Sequence, residues 1–202
     1  MNLKTITRAF AAAAISLSLA ACGINSVPTA EEEAKAKWAN VESEYQRRAD
    51  LIPNLVSTVR GAAASEGKIL KDVMDARASA SSIQIDGDDL NDPEKFQAFE
   101  EAQGELSSVL TRLMAVTENY PELRSQEAFL GLMDQLEGTE NRIGNARTKY
   151  NEAVQDYNTT IRTFPDTIGA NIIHGAEPMQ GFKAKKGADT APDVNLEDLG
   201  ES

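Results

Sequence analysis

From Trp38 onward, apolar residues recur in alternating steps of three and four: Trp38, Val41, Tyr45, Ile52, Leu55, Val59 and Ala62, with Arg48 in the same register. That spacing predicts one buried face of an α-helix. The phase continues through Glu66, Ile69, Val73, Ala76, Ala80 and Ile83, so Arg48 and Glu66 are charged flaws on an apolar seam. Pro53 falls inside this run without disturbing its phase. A proline cannot donate to the carbonyl four residues back, here Ala49, and it crowds that group. Two outcomes follow: one kinked helix, or two helices with Pro53 in the first turn of the second. Preserved phase favours the kink. Gly61 and Gly67 weaken the helix further, by about 1 kcal/mol each relative to alanine.

The stretch 81–96, SSIQIDGDDLNDPEKF, reads as a loop that ends in a helix start, with Asp92 as cap and Pro93 in the first turn. Phe96, Phe99, Gln103, Leu106, Leu110, Leu113 and Thr117 then repeat the helical step. After the turn ENYPEL, with Pro121 placed early in the last helix, the longest seam runs Phe129, Met133, Leu136, Glu140, Ile143, Arg147, Tyr150, Val154, Tyr157, Ile161, Phe164, and Pro165 stops it. Three long amphipathic segments with short connections predict an all-α fold. It is a long antiparallel bundle of three to four helices, the first kinked or broken near Pro53. An intermolecular coiled coil uses the same pattern, but the breaks at 81–92 and 118–121 favour packing within the chain. Residues 30–165 form the expected bundle domain and 166–182 a partly docked segment. Residues 183–202 form an acidic tail expected to be disordered.

Ahead of the bundle, Lys4 and Arg8 precede an apolar run from Ala9 to Leu19, shorter than the roughly 20 residues that span a bilayer. It leads into Leu19-Ala20-Ala21-Cys22, which resembles the bacterial lipobox. That resemblance implies a signal peptide over 1–21, cleavage between Ala21 and Cys22, and acylation of the Cys22 thiol. An ordinary signal peptide or an uncleaved short anchor is the plainer alternative. Residues 22–29 would be a short tether, and Thr29 with Glu32 fits a capping box that opens the bundle. Gly23 after the cysteine, where lipoproteins kept at the inner membrane usually carry Asp, tilts the expectation towards an outer membrane.

Composition narrows the chemistry. The 202 residues carry a net charge of −12, the wrong sign for a phosphate backbone, so no nucleic-acid partner is expected. A single cysteine and a single histidine leave no intrachain disulfide, zinc cluster or histidine pair. The acidic loop DGDDLND (86–92) offers Asp86, Asp88 and Asp92, but Gly87 stands in the wrong place for a calcium loop. No metal or other cofactor is expected.

Two stretches carry a family resemblance. YQRRADLIPNLVSTVRG contains Arg47, Arg48, Leu51, Ile52, Pro53, Asn54 and Leu55. The second stretch supplies Tyr120, Pro121, Leu123, Glu140, Asn141, Arg142, Ile143, Ala146, Arg147, Tyr150, Asn151, Val154, Tyr157, Asn158, Ile161, Phe164 and Pro165. Together they resemble the bacterial LemA family over residues 30–165. The resemblance implies an envelope-anchored, all-helical protein without an established activity. Family members are often tethered by an uncleaved N-terminal helix, and the lipobox departs from that pattern.

The candidate site residues are the charges on the seams: Arg48, Glu140 and Arg147. A buried charge is costly unless paired, so Glu140 is expected to pair with Arg48 or Arg147 between helices and to fix their register. The plainer alternative is that these side chains reach solvent at the seam edge. The tyrosines and asparagines of 150–158 are expected as core rim and interhelical bonds, and His174 as a surface or docking residue. No catalytic residue is expected. The expected protein is a non-enzymatic scaffold of the cell envelope, lipid-anchored, facing the periplasm and presenting an acidic bundle to protein partners. A sensor or accessory subunit is the alternative, and an enzyme the least favoured.

Overall fold

Helix α1 runs unbroken from Leu3 to Ala62 in the computed structural model, which describes residues 3–183, with the backbone alone before Asn25. After it come α2 (Gly67–Ser82), α3 (Pro93–Thr117), the single turn α4 (Pro121–Arg124), α5 (Glu127–Thr160) and the single turn α6 (Asp166–Gly169). The described residues contain no strand. Helices α1, α2, α3 and α5 form an antiparallel four-helix bundle, in which α1 lies along α5, α2 along α3, and α2 folds back on α1. The periodicity therefore reads the architecture correctly.

The interior has two halves. In the half where α1 enters the bundle, Trp38 sits among Phe96, Phe99, Tyr150 and Phe182, with ring centroids 5.2–6.0 Å from its own. Such separations suit tilted and edge-on aromatic contacts. The buried Trp38 indole donates to the Ile85 carbonyl at 2.9 Å, which fixes the loop after α2. The far half is aliphatic, built from Ile52, Leu55, Val59, Leu70, Val73, Leu106, Leu110 and Leu113. Arg48 lies between the two.

Several local expectations differ from the structure. The seam from Trp38 to Ile83 belongs to two helices. The chain leaves α1 after Ala62, makes a 3-10 turn at Ala64–Glu66 and reverses into α2. The break falls between Gly61 and Gly67, where helix propensity is lowest, and Leu70 takes the buried place expected of Ile69. Glu66 is a turn residue whose carboxylate accepts the Tyr120 hydroxyl at 2.9 Å. Residues 22–29, expected as tether, are helical, and Val27 is fully buried in the aromatic half. Thr29 caps nothing and donates to the Asn25 carbonyl at 2.7 Å. Pro121 opens α4 as a turn of its own, ahead of α5. Phe164 is 70% exposed, since α5 ends at Thr160 before that residue can take its place on the seam. Residues 184–202 of the expected tail lie outside the described residues.

Pro53 neither ends nor splits α1. Its missing N–H leaves the Ala49 carbonyl without an intrahelical donor, and Ala49 is buried. Arg77 of α2 supplies the donor, its Nε lying 2.7 Å from that oxygen. The proline thereby exposes a backbone acceptor to which the neighbouring helix is pinned. Replacing Arg77 with alanine should cost about 1–3 kcal/mol, the penalty of an unsatisfied buried group. In a Pro53→Ala background the restored N–H of residue 53 satisfies Ala49, and the same replacement should cost clearly less. Denaturant unfolding of the four proteins measures the difference, and equal costs in both backgrounds would contradict this account.

Candidate functional site

Arg48, on α1, is only 1% exposed. Its Nη1 donates to Glu140 Oε1 of α5 and to Ser107 Oγ of α3, each at 2.8 Å. Nη2 donates to the Gln103 side-chain oxygen at 2.6 Å and more weakly to the Gln103 carbonyl at 3.3 Å. Gln103 in turn donates to the Ala80 carbonyl on α2 at 3.2 Å. One guanidinium thus ties three helices directly and the fourth through Gln103. Burying a charge costs several kcal/mol unless its hydrogen bonds are remade. Here four contacts remake them, while Nε alone has no partner among the described residues. The Tyr45 ring, 5.1 Å from the guanidinium carbon, closes the remaining side. Glu140 keeps 47% of its side chain in solvent, so the pair desolvates only one of its two charges fully.

Arg147 does not join Glu140. Its Nη2 lies 3.5 Å from Glu100 Oε1 on α3, and its guanidinium stands 4.2 Å over the Phe182 ring. These groups line a groove of about 510 Å³ between α3 and α5, with Arg48 at its base. The groove's serine hydroxyl is already committed: Ser107 Oγ donates to the Gln103 carbonyl at 3.1 Å and accepts from Arg48. His174 lies away from it, beside Glu31, Asp88 and Tyr157. Nucleophilic catalysis needs a base within hydrogen-bond reach of the nucleophile, and the groove does not supply that arrangement. Ala21 and Cys22 fall where only the backbone of α1 is described.

A second polar device holds the C-terminal segment. Beyond the π-helical turn Ala170–His174, Gly175 adopts φ 58°, which L-residues disfavour, and redirects the chain over α5. The Asn158 carboxamide donates to the Met179 carbonyl at 3.0 Å and accepts from its N–H at 2.9 Å. Asn151 does the same for Phe182, with both distances 2.9 Å. Seven helical residues rise about 10.5 Å, and three extended residues span about 10 Å. The two asparagines therefore match the length of the segment they hold, each imitating the edge of a strand. Between them the Tyr150 hydroxyl donates to the Gln180 carbonyl at 2.8 Å. Burial pushes that phenol above the usual tyrosine range, which keeps the donor protonated.

Sequence reasoning placed Arg48 and Glu140 on seams but missed Gln103 and Ser107 as their partners. Gln103 carried a signal, as the polar residue in the middle of an α3 seam that is otherwise apolar from Phe96 to Leu113. The asparagine pair signalled itself through its spacing of seven, yet its partner lies in an irregular segment with no periodicity to read.

Glu140→Gln should lower stability by about 1–3 kcal/mol, since Arg48 loses a charged acceptor but keeps its neutral ones. For a chain of this size each kcal/mol corresponds to about 2–4 °C in Tm, so calorimetry suffices to measure it. Asn151→Leu should free the C-terminal segment without unfolding the bundle. Hydrogen exchange at the Phe182 amide should then accelerate at least tenfold while the Trp38 region stays protected.

A model of the LemA family matches residues 37–196, which take in the Arg48 network and both asparagines. Magnetosome protein MamQ of Magnetospirillum gryphiswaldense is 31% identical over 182 aligned positions, covering 82% of this chain and 66% of the relative. Magnetosome protein MamQ 2 of Paramagnetospirillum magneticum aligns with the same identity and coverage. The chain thus spans a little under two thirds of the length of these relatives. The chain belongs to the LemA family.

Proposed function

We propose that this LemA-family chain is a membrane-anchored interaction protein of the bacterial cell envelope that works by presenting its bundle to protein partners and catalyses no reaction. The observation that carries this reading is the commitment of the one buried charge among the described residues: Arg48 is consumed by contacts within the bundle. In this reading Arg48, Glu140 and the adjacent Arg147 set helix register, as isolated polar groups do in coiled coils. The two relatives are described by the body they belong to, the magnetosome, and by no reaction, which supports an assembly role. The acidic surface selects partners by charge and disfavours anionic lipid and nucleic acid.

The anchor is proposed to be lipid on Cys22 after cleavage at Ala21, with the bundle facing the periplasm, at the outer membrane where the host has one. Among the residues with described side chains, no helix is long and apolar enough to cross a membrane. A second form of anchoring, an uncleaved N-terminal helix, is supported by the unbroken backbone of α1 from Leu3 through Cys22 into the bundle. The groove between α3 and α5 favours, as the alternative function, a sensor or accessory subunit of an envelope complex.

Mass spectrometry of the N-terminus separates the anchors: an acylated Cys22 is expected, and an intact Met1 would replace it with the uncleaved helix. In-cell crosslinking should capture the same envelope proteins reproducibly. Their absence, together with a metabolite-dependent thermal shift, would favour the sensor.

A further inference from the structure

The described end of the bundle nearest the N-terminal apolar run is unlike the rest of the surface. From Ala9 to Ala30 the chain has no Asp, Glu, Lys or Arg, and the first acidic residues are Glu31, Glu32 and Glu33. Between Thr163 and Ala176, Asp166 is the only acidic residue and no Lys or Arg occurs. Asp166 accepts the Ser26 hydroxyl at 2.6 Å, which places α6 at the level where α1 enters the bundle. At this level are four of the five large apolar side chains exposed among the described residues, Phe164 at 70%, Ile172 at 79%, Ile173 at 57% and Ile168 at 47%; the fifth, Leu130 on α5, stands alone. Ile168 and Ile172 are four residues apart on one helical face. Both α6 and the π-helical turn pack on α1.

No slack separates this end from the anchor. Val27 is fully buried in the bundle, and the five residues from Cys22 to Val27 rise only about 7.5 Å along the helix. A bundle so attached cannot stand off from a membrane that holds residue 22. Its charge-free collar reaches Glu31, about 13 Å from Cys22 by the same rise. The polar layer on each side of a bilayer is about 5–8 Å deep, so the acidic surface begins just beyond it.

We propose that Phe164, Ile168, Ile172 and Ile173 form an interfacial lipid-docking surface that seats the end of the bundle in the headgroup layer beside the anchor. The inference rests on the proposed membrane anchoring and holds for either form of it. The occupant is a lipid surface rather than a second copy, because the patch lies where the short α1 link delivers it to the bilayer. The absence of Lys and Arg between Thr163 and Ala176 indicates docking chiefly by apolar insertion, only weakly dependent on lipid charge and salt.

The test uses the full chain in phosphatidylcholine vesicles doped with a lipid that carries a photoactivatable group high in its acyl chain. After irradiation, trypsin releases Thr163–Lys183 as one peptide, bounded by Arg162 and Lys183. That peptide and the segment around Cys22 should be labelled at least fivefold above Leu113–Arg124 from the opposite end. Ile168→Asp with Ile172→Asp, both solvent-facing positions, should abolish labelling of Thr163–Lys183 and leave the anchor labelled. Label on the anchor with none on Thr163–Lys183 overturns the docking surface and leaves the anchoring reading intact. Label on neither overturns both. Dimers of the full chain by light scattering that the same double substitution dissolves, without lipid label on Thr163–Lys183, assign the surface to self-association and also overturn the proposal.

Discussion

A guanidinium with almost no access to water sits in the middle of this bundle, and the arrangement of the helices follows from its needs. Arg48 must find acceptors for hydrogen bonds that solvent would otherwise provide. They come from Ser107 and Gln103 on α3 and Glu140 on α5, while Gln103 reaches on to α2. Apolar side chains tolerate sliding by a turn with modest loss, whereas a fork of fixed donors does not. The aromatic half around Trp38 and the aliphatic half around Leu113 can therefore pack against different partners without shifting against each other.

The same logic, side chains completing backbone groups, recurs at two other places. Pro53 withholds a donor inside α1 and Arg77 replaces it from α2, so a local defect becomes an interhelical bond. Asn151 and Asn158 replace the strand that the C-terminal segment lacks, and their burial of Met179 and Phe182 seals the aromatic half. Phe182 then meets Trp38, Phe96 and Tyr150, and lies under Arg147. The core is completed from the far end of the described chain.

Charge is distributed along the bundle axis in the opposite sense to apolar exposure. Acidic residues begin at Glu31, while the uncharged collar and the exposed isoleucines occupy the end that leads to the N-terminal run. In the proposed docking, this polarity would direct the acidic faces away from lipid and leave them open to partners.

The sequence by itself determined the helices, because a 3.6-residue period of apolar positions is a local property that burial of one face enforces. It also marked Arg48 and Glu140, since a charge on an apolar seam is anomalous wherever the seam goes. It did not reveal that the first seam folds at Ala63, because the buried faces of α1 and α2 happen to continue nearly in phase across the break. Nor did it decide which partner Glu140 takes, or what answers Pro53, since both depend on distances between helices that no single period encodes. The role of Asn151 and Asn158 was similarly hidden, their partner being an extended backbone with no pattern of its own. Tertiary structure decided these matters because a polar group is satisfied by whatever donor or acceptor packing brings within about 3 Å, regardless of separation along the chain.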